Sequence, residues 1–200
     1  MLTIQTGNLQ EPNVILRTLH LSLREYDSMV RKGAFDDLER RVELIRSDVV
    51  EVNPAGPVHD DIILYLTNWS VRCCDPHKTL VTSQTGIDLP EIESRPEPDV
   101  FWVRKARYRK RHPMAGDIQL AIEVADSSLE KDLEIKRIMY AEVGIAEYWI
   151  VDCKAENIHV LRDPRNGDYR SRVVVFPPNT ISPIVAPQTA LNLYDLFQGD

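Results

Sequence analysis

The sequence predicts an α/β (α+β) fold: a mixed central sheet flanked by helices, with an N-terminal hairpin. Three observations carry this. Residues 117–125 alternate, with Ile118, Leu120, Ile122 and Val124 on one face and Gln119, Ala121, Glu123 and Ala125 on the other, the two-residue period of a strand. From Pro98 to Asp152 the order is strand, strand, helix, strand, closing on the apolar run Tyr148-Trp149-Ile150-Val151. Beyond it, residues 157–161 and 169–176 read as strands on either side of Asp163-Pro164-Arg165-Asn166-Gly167, an antiparallel hairpin at one edge.

Two hundred residues suit one domain with a sizeable core. Residues 1–19 show no clear period and read as a loosely held arm, leaving 20–200 as the domain. A net charge of −7 argues against a generic nucleic-acid coat but leaves room for a local basic groove. No stretch approaches the roughly 18 apolar residues of a membrane span. The N-terminus lacks a charged-then-apolar signal pattern, so a cytoplasmic chain with no membrane contact is expected. Cys73, Cys74 and Cys153 supply neither a disulfide framework nor paired metal-ligand spacing.

In chain order, Ser22-Leu23-Arg24-Glu25 has capping-box spacing and opens a short helix ending near Gly33. Residues 41–45 and 48–52 alternate across Arg46-Ser47 and form the hairpin. A loop at 53–57, with two prolines and a glycine, leads to an amphipathic helix from about residue 58 to 73. Its inner face carries Ile62, Leu66, Trp69 and Cys73. A short strand at 80–83 precedes a turn-rich approach to Asp99. The tail, with prolines at 177, 178, 183 and 187, wraps the surface before a last short helix at 193–197.

The central unit puts ionisable groups where a plain core wants apolar ones. Glu123 lies between Ala121 and Ala125 on its own strand face, which leaves room beside it. A carboxylate in so apolar a strand needs a partner, a metal or water. After the polar turn at 126–128, Ser127 and Glu130 have capping-box spacing and open the next helix. At about 100° per residue, Leu129, Leu133, Lys136, Tyr140 and Val143 share a stripe roughly 80° wide, so Lys136 is the odd member of a buried face. Asp132 sits at its edge. Methionine at position 136 is expected to be neutral or stabilising, whether the lysine is kept for packing or serves the metal site, where it would abolish Mn²⁺-dependent cleavage.

At these residues the chain resembles the PD-(D/E)XK nuclease superfamily, in its Pro98-Asp99, its mid-strand Glu123 and a nearby lysine. A longer string is more specific: Glu123 to Ser128, then Asp132, Lys136, Tyr140-Ala141 and Gly144 to Asp152. It resembles the bacterial family called putative restriction endonucleases, over about residues 20 to 198. The resemblance implies a restriction-endonuclease-like fold. The lysine that the superfamily carries two residues after the glutamate is Ala125 here, and the resemblance places its role on Lys136. It also points to His59, after the hairpin, and to Glu43 on the hairpin's first strand as catalytic residues. The hairpin turn, which has a glycine in the family, has Ser47 here.

The implied chemistry is phosphodiester hydrolysis. Asp99 and Glu123, with the backbone carbonyl of Val124 by resemblance, form a hard oxygen donor set for Mg²⁺ or Mn²⁺. Lys136 orients or helps deprotonate a water and stabilises developing charge. DNA is the expected substrate, and a homodimer is expected by resemblance alone. A rival reading is a catalytically inert protein that uses the nuclease fold as a nucleic-acid-binding or protein-interaction module. A third is a metal-dependent hydrolase of another phosphate ester, favoured by a narrow pocket. Between the two core strands, Arg104, Lys105, Arg107, Arg109, Lys110 and Arg111 form a basic loop. It either grips phosphates near the metal or simply offsets an acidic chain.

Overall fold

The computed structural model describes residues 19–52 and 56–199. All but the last residue of the expected arm over residues 1–19 lies outside them. Six strands make the central sheet, in the order β3-β4-β5-β6-β7-β8: β3 Thr79–Thr82, β4 Val100–Arg104, β5 Ile118–Ala125, β6 Glu147–Asp152, β7 Asn157–Arg165 and β8 Asp168–Val175. β5 and β6 run parallel and every other neighbouring pair is antiparallel, so the sheet is mixed as expected. The parallel pair is joined by a crossover that packs on one face: α3 Leu129–Lys131, a π-helical turn Asp132–Lys136, and α4 Arg137–Glu142. Among the described residues no helix is long and apolar enough to cross a membrane.

The alternation of β5 sorts the core into two layers. Leu120, Ile122 and Val124 face α2 (Pro57–Cys73), where Ile62, Leu66 and Trp69 meet Trp102 and Trp149. Residues on the other parity, Ala121 and Ala125, face the crossover helices with Met139, Tyr140 and Tyr148. Glu123 shares that parity, so its carboxylate is buried on the helix side. Two short elements complete the layer on the α2 side: the pair β9 Thr180–Ile181 and β10 Leu191–Asn192, and the terminal helix α5 Leu193–Gln198.

Near the N-terminus, α1 (Leu23–Arg31) is capped by Ser22 and Glu25 in the reciprocal arrangement read from the sequence. The hairpin β1 Val42–Ile45 and β2 Asp48–Glu51 is a separate two-stranded sheet. It is tied to the 87–97 segment through Arg95 N–H to Leu44 O at 2.7 Å and Ser47 N–H to Glu93 O at 2.9 Å. That anchoring turns the inward side of β1, including Glu43, toward the crossover helices.

Three expectations are corrected. Ser127 and Glu130 form no capping box: the helix starts one residue later, and the Ser128 hydroxyl donates to Asp132 Oδ2 at 2.7 Å instead of capping an amide. The buried face of the crossover also shifts. Leu129, Leu133 and Val143 are half-buried, while Asp132, Met139 and Ala141 join Lys136 and Tyr140 inside. The cause is the π turn, whose wider i→i+5 bonding rotates the following residues against a regular helix. Finally, β7 and β8 run further than expected, to a two-residue turn at Asn166-Gly167. Asn166 (φ 53°) and Gly167 (φ 77°) adopt the left-handed pair that such a hairpin requires.

The β1–β2 turn demands the same conformation with poorer residues. Arg46 (φ 48°) and Ser47 (φ 71°) both sit in the left-handed region. For a residue with a Cβ this costs roughly 1–2 kcal/mol. Glycine returns about 0.4–1 kcal/mol of that through the entropy of the unfolded chain. Ser47→Gly should therefore stabilise the protein by up to about 1 kcal/mol. Urea denaturation would show a raised midpoint for Ser47→Gly and none for Ser47→Ala; a lowered midpoint in the glycine variant contradicts the account.

Candidate active site

Five segments deliver side chains to one cavity of about 100 Å³ that opens at the surface beside Arg41 and Ser127. β1 gives Glu43, the first turn of α2 gives His59, and the residue before β4 is Asp99. β5 gives Glu123 and Val124, and the crossover helices give Lys131, Asp132 and Lys136. All six residues singled out in the sequence (Glu43, His59, Asp99, Glu123, Val124 and Lys136) thus line the same space.

Two hydrogen-bonded groups build it. In the deeper one, Lys136 Nζ donates to Glu123 Oε1 at 2.8 Å and lies 3.3 Å from Glu43 Oε1. Tyr140 Oη donates to the same Glu123 oxygen at 3.0 Å. Lys131 Nζ reaches the other Glu43 oxygen at 3.1 Å, and the Glu97 amide donates to Glu43 Oε1 at 2.8 Å. In the shallower group, Asp99 Oδ2 accepts the Val124 amide at 2.8 Å and faces His59 Nε2 at 3.5 Å. The Val124 bond fixes Asp99 next to β5, one residue from Glu123.

Burial sets the charges. It pushes Glu123 well above the usual carboxylate range; Lys136 opposes this, while Asp132, Asp99 and Glu43 add to it. For Glu43 burial acts the same way, but Lys136, Lys131 and the Glu97 amide outweigh it and hold the group below its ordinary value. Burial alone would depress Lys136; the carboxylates of Glu123, Glu43 and Asp132 instead keep it above the ordinary lysine value. His59 is raised chiefly by its hydrogen bond to Asp99.

Among the described residues no three His, Cys, Asp or Glu side chains are placed to share one ion. The donor set nonetheless suits a hard divalent cation that keeps several waters and takes one or two carboxylates. Asp99 and Glu123 are near enough for the charge of one to raise the other, and both line the cavity with Val124. Seven carboxylates line the space against three basic side chains, Arg41, Lys131 and Lys136, a surplus that a cation would relieve.

A family model described as Uma2, putative restriction endonuclease, matches residues 23–193. The chain belongs to the Uma2 family. Among solved structures, a putative nuclease belonging to DUF820 from Anabaena variabilis ATCC 29413 is similar, with a TM-score of 0.71 over 90% of this chain and 98% of that one, at 16% identity. The likeness shows a shared fold, and the restriction-endonuclease-like architecture expected from the sequence is the one found. A comparison with curated proteins finds no match.

Within this Uma2 site the sequence reading overlooked Lys131 and the hydroxyl of Tyr140. On a regular helix Lys131 and Lys136 stand about 140° apart, on different faces. The intervening π turn takes an extra residue, so both ammonium groups reach Glu43. Tyr140 was legible as a member of the apolar stripe, four residues after Lys136, but its hydroxyl bond to Glu123 was not. The basic loop is corrected in the other direction. It leaves the C-terminal end of β4, whereas Asp99 precedes the N-terminal end, so it does not reach the cavity.

Two measurements follow from this electrostatic layout. In the metal-free protein His59 should titrate above the ordinary histidine value by NMR, and Asp99→Asn, which can still accept the Val124 amide, should bring it down. Because the folded value is raised, the His59 contribution to stability is present below the unfolded value of about 6.5 and disappears as pH rises through the folded one. A His59 resonance insensitive to Asp99→Asn would remove this pair from the site. For Lys136 the structure reverses the tolerance for methionine expected above. Losing the ammonium leaves Glu43 and Glu123 buried with less compensation, a change that usually costs about 3–5 kcal/mol. Lys136→Met should lower Tm, and adding Glu123→Gln should restore part of it; a neutral Lys136→Met would mean that the cluster is far better hydrated than its burial indicates.

Proposed function

We propose that the protein is a metal-dependent endonuclease that hydrolyses phosphodiester bonds, with DNA as its substrate. The observation that carries this reading is the convergence of Asp99 and Glu123 on one cavity with the ammonium of Lys136 bonded to Glu123. Membership of a family described as putative restriction endonucleases supports it. Homodimer assembly and a cytoplasmic setting are parts of the same proposal.

Asp99, Glu123 and the Val124 carbonyl would hold Mg²⁺ or Mn²⁺. When bound, such an ion polarises the phosphoryl group and lowers the pKa of a bound water. The chain's own groups do the rest. Lys136, held protonated by its carboxylates, is a poor base, so it serves as a fixed positive charge and hydrogen-bond donor toward oxygen that gains charge during attack. Glu43 anchors Lys136 and Lys131 together and so fixes where that charge stands. Tyr140 pins the Glu123 oxygen, and His59 steadies Asp99 from the solvent side.

A second reading, hydrolysis of a small phosphate ester, is favoured by the size of the cavity. About 100 Å³ holds a phosphate and waters but no nucleotide, and Glu51, Glu97 and Asp126 make its lining acidic. In the endonuclease reading the DNA backbone presents a phosphate at the mouth without entering.

Duplex cleavage with Mn²⁺ or Mg²⁺, and with chelator, tests the proposal together with Glu123→Gln. The glutamine keeps an acceptor for Tyr140 and leaves Lys136 its bond to Glu43, and it removes a buried carboxyl that resists ionisation. Tm should hold or rise while cleavage falls by at least about 100-fold. The metal-induced rise in Tm should also disappear. Undiminished cleavage in Glu123→Gln, or wild-type cleavage indifferent to chelator, would refute the assignment. Hydrolysis of a small phosphate monoester alone would favour the second reading.

A further inference from the structure

We propose that the 104–111 loop and the groove beside it form a second contact site for the nucleic-acid backbone, remote from the candidate active site but on the same sheet face. This rests on the nuclease reading above. The catalytic cavity itself is lined by seven carboxylates and three basic side chains, so it does not attract a polyanion. If a nucleic acid is to be held there, the attraction must come from elsewhere on the molecule.

The loop has the required charge in available form. Of its six cationic residues, three are engaged within the fold. Arg111 pairs with Asp117 at 2.6 Å and lies over the Tyr108 ring, Arg104 donates to Gly116 O at 3.3 Å, and Lys105 donates to Pro76 O. Tyr108 Oη closes the loop on itself by donating to Arg104 O at 2.8 Å. Arg107, Arg109 and Lys110 are exposed and have no ion pair or hydrogen bond among the described residues. The engaged residues thus hold a platform from which the other three project.

Position supports a backbone contact. The groove has a volume of about 510 Å³ and runs between Leu80 and Val103 of the sheet and Tyr108 of the loop, with Arg107 and Arg109 at its rim. Leu80, Val103 and Tyr108 pack in the same layer as Ala121, Ala125 and Tyr140, which is the face that carries Glu123. From Asp99 to Arg104 the chain advances five residues along β4, about 16 Å at 3.3 Å per residue. At 3.4 Å per step along one strand this is roughly five base-pair steps. A duplex running parallel to β4, outside the crossover helices that cover this face, would present its second strand to the loop about half a turn from the phosphate at the cavity mouth. An acidic peptide offers the same charge but no reason for this alignment with a phosphodiester site.

The test uses the full chain with Arg107→Ala, Arg109→Ala and Lys110→Ala combined. Because the three residues are exposed and unpaired, Tm should be unchanged. Binding to a labelled 20-base-pair duplex would be followed by fluorescence anisotropy, in chelator, over a range of salt. The expected result is at least 10-fold weaker binding at low salt. The slope of log K against log salt should also become shallower by about 0.9 for each phosphate that is no longer neutralised, or 2 to 3 in all. Cleavage of a dinucleotide phosphodiester, which reaches only the cavity, should be unaffected. A triple variant with wild-type affinity and slope overturns the proposal, as does loop-dependent binding of polyglutamate with loop-independent binding of DNA. A wild type that cleaves nothing, yet loses duplex affinity in the triple variant, would refute the nuclease reading and leave the loop as a nucleic-acid contact. A Glu substitution at Arg107 and Arg109 provides an independent check, since it should weaken binding further.

Discussion

A lysine ammonium buried between two carboxylates is the constraint on which the arrangement of this protein depends. Lys136 lies on the crossover helices, Glu123 in the middle of β5 and Glu43 on a hairpin 80 residues earlier in the chain. None of the three can be buried alone, because the effective penalty for an unpaired internal ion is several kcal/mol. Sheet, helix and hairpin must therefore meet in one register. The Glu97 amide and Lys131 complete the hydrogen bonding around Glu43, and the Tyr140 hydroxyl does so for Glu123. Each added bond narrows the positions at which the hairpin can dock.

Local structure is adapted to that meeting. On the helix-side face of β5, Ala121 and Ala125 flank Glu123 with small side chains, so a helix can approach closely enough for Lys136 to reach it. The π turn is the second adaptation. It lies over residues 132–136, between the two lysines, and turns both to Glu43. Such turns are rare and concentrate at functional sites. Ser128 spends its hydroxyl on Asp132 where it would otherwise cap an amide, so the helix start too is shaped by the buried acids.

What was legible in the sequence followed from short-range periodicity. The two-residue period of β5 gave the face of Glu123, and the helical stripe gave Lys136 as a cation inside. The sheet's mixed character followed from the order of its elements. The illegible parts depend on contacts or directions that periodicity does not encode. A regular 100° helix hides Lys131, because the inserted residue of the π turn has no sequence signature of its own. The place of Glu43 depends on Arg95 and Glu97 bonding to β1, residues about 50 positions away. β7 reads through Pro164, and its ladder to β8 keeps one register from Ile158 to Arg165 past Asp163, which has a positive φ of 57°. The distance between the basic loop and Asp99 was different: strand rise alone predicts it, once β4 is traced from one end to the other.

The energetics of the buried cluster also bear on the rival of an inert module. Replacing a buried ion pair or triad by well-packed apolar residues is often neutral or stabilises a protein by about 1–4 kcal/mol. On stability alone, then, a chain with no use for charge at this point would do as well with leucine or methionine at positions 43, 123 and 136. The cluster here is not fully satisfied by its own cations either. Burial and the neighbouring Asp132, Asp99 and Glu43 keep Glu123 hard to ionise, although Lys136 is at hydrogen-bonding distance. That is an arrangement short of positive charge, open to solvent through the mouth near Arg41 and built from oxygen donors. Such a shortage is a liability to a scaffold and a binding force for a divalent ion. On the metal-dependent reading proposed above, that shortage is the attraction the ion would satisfy, and a plain scaffold has no use for it.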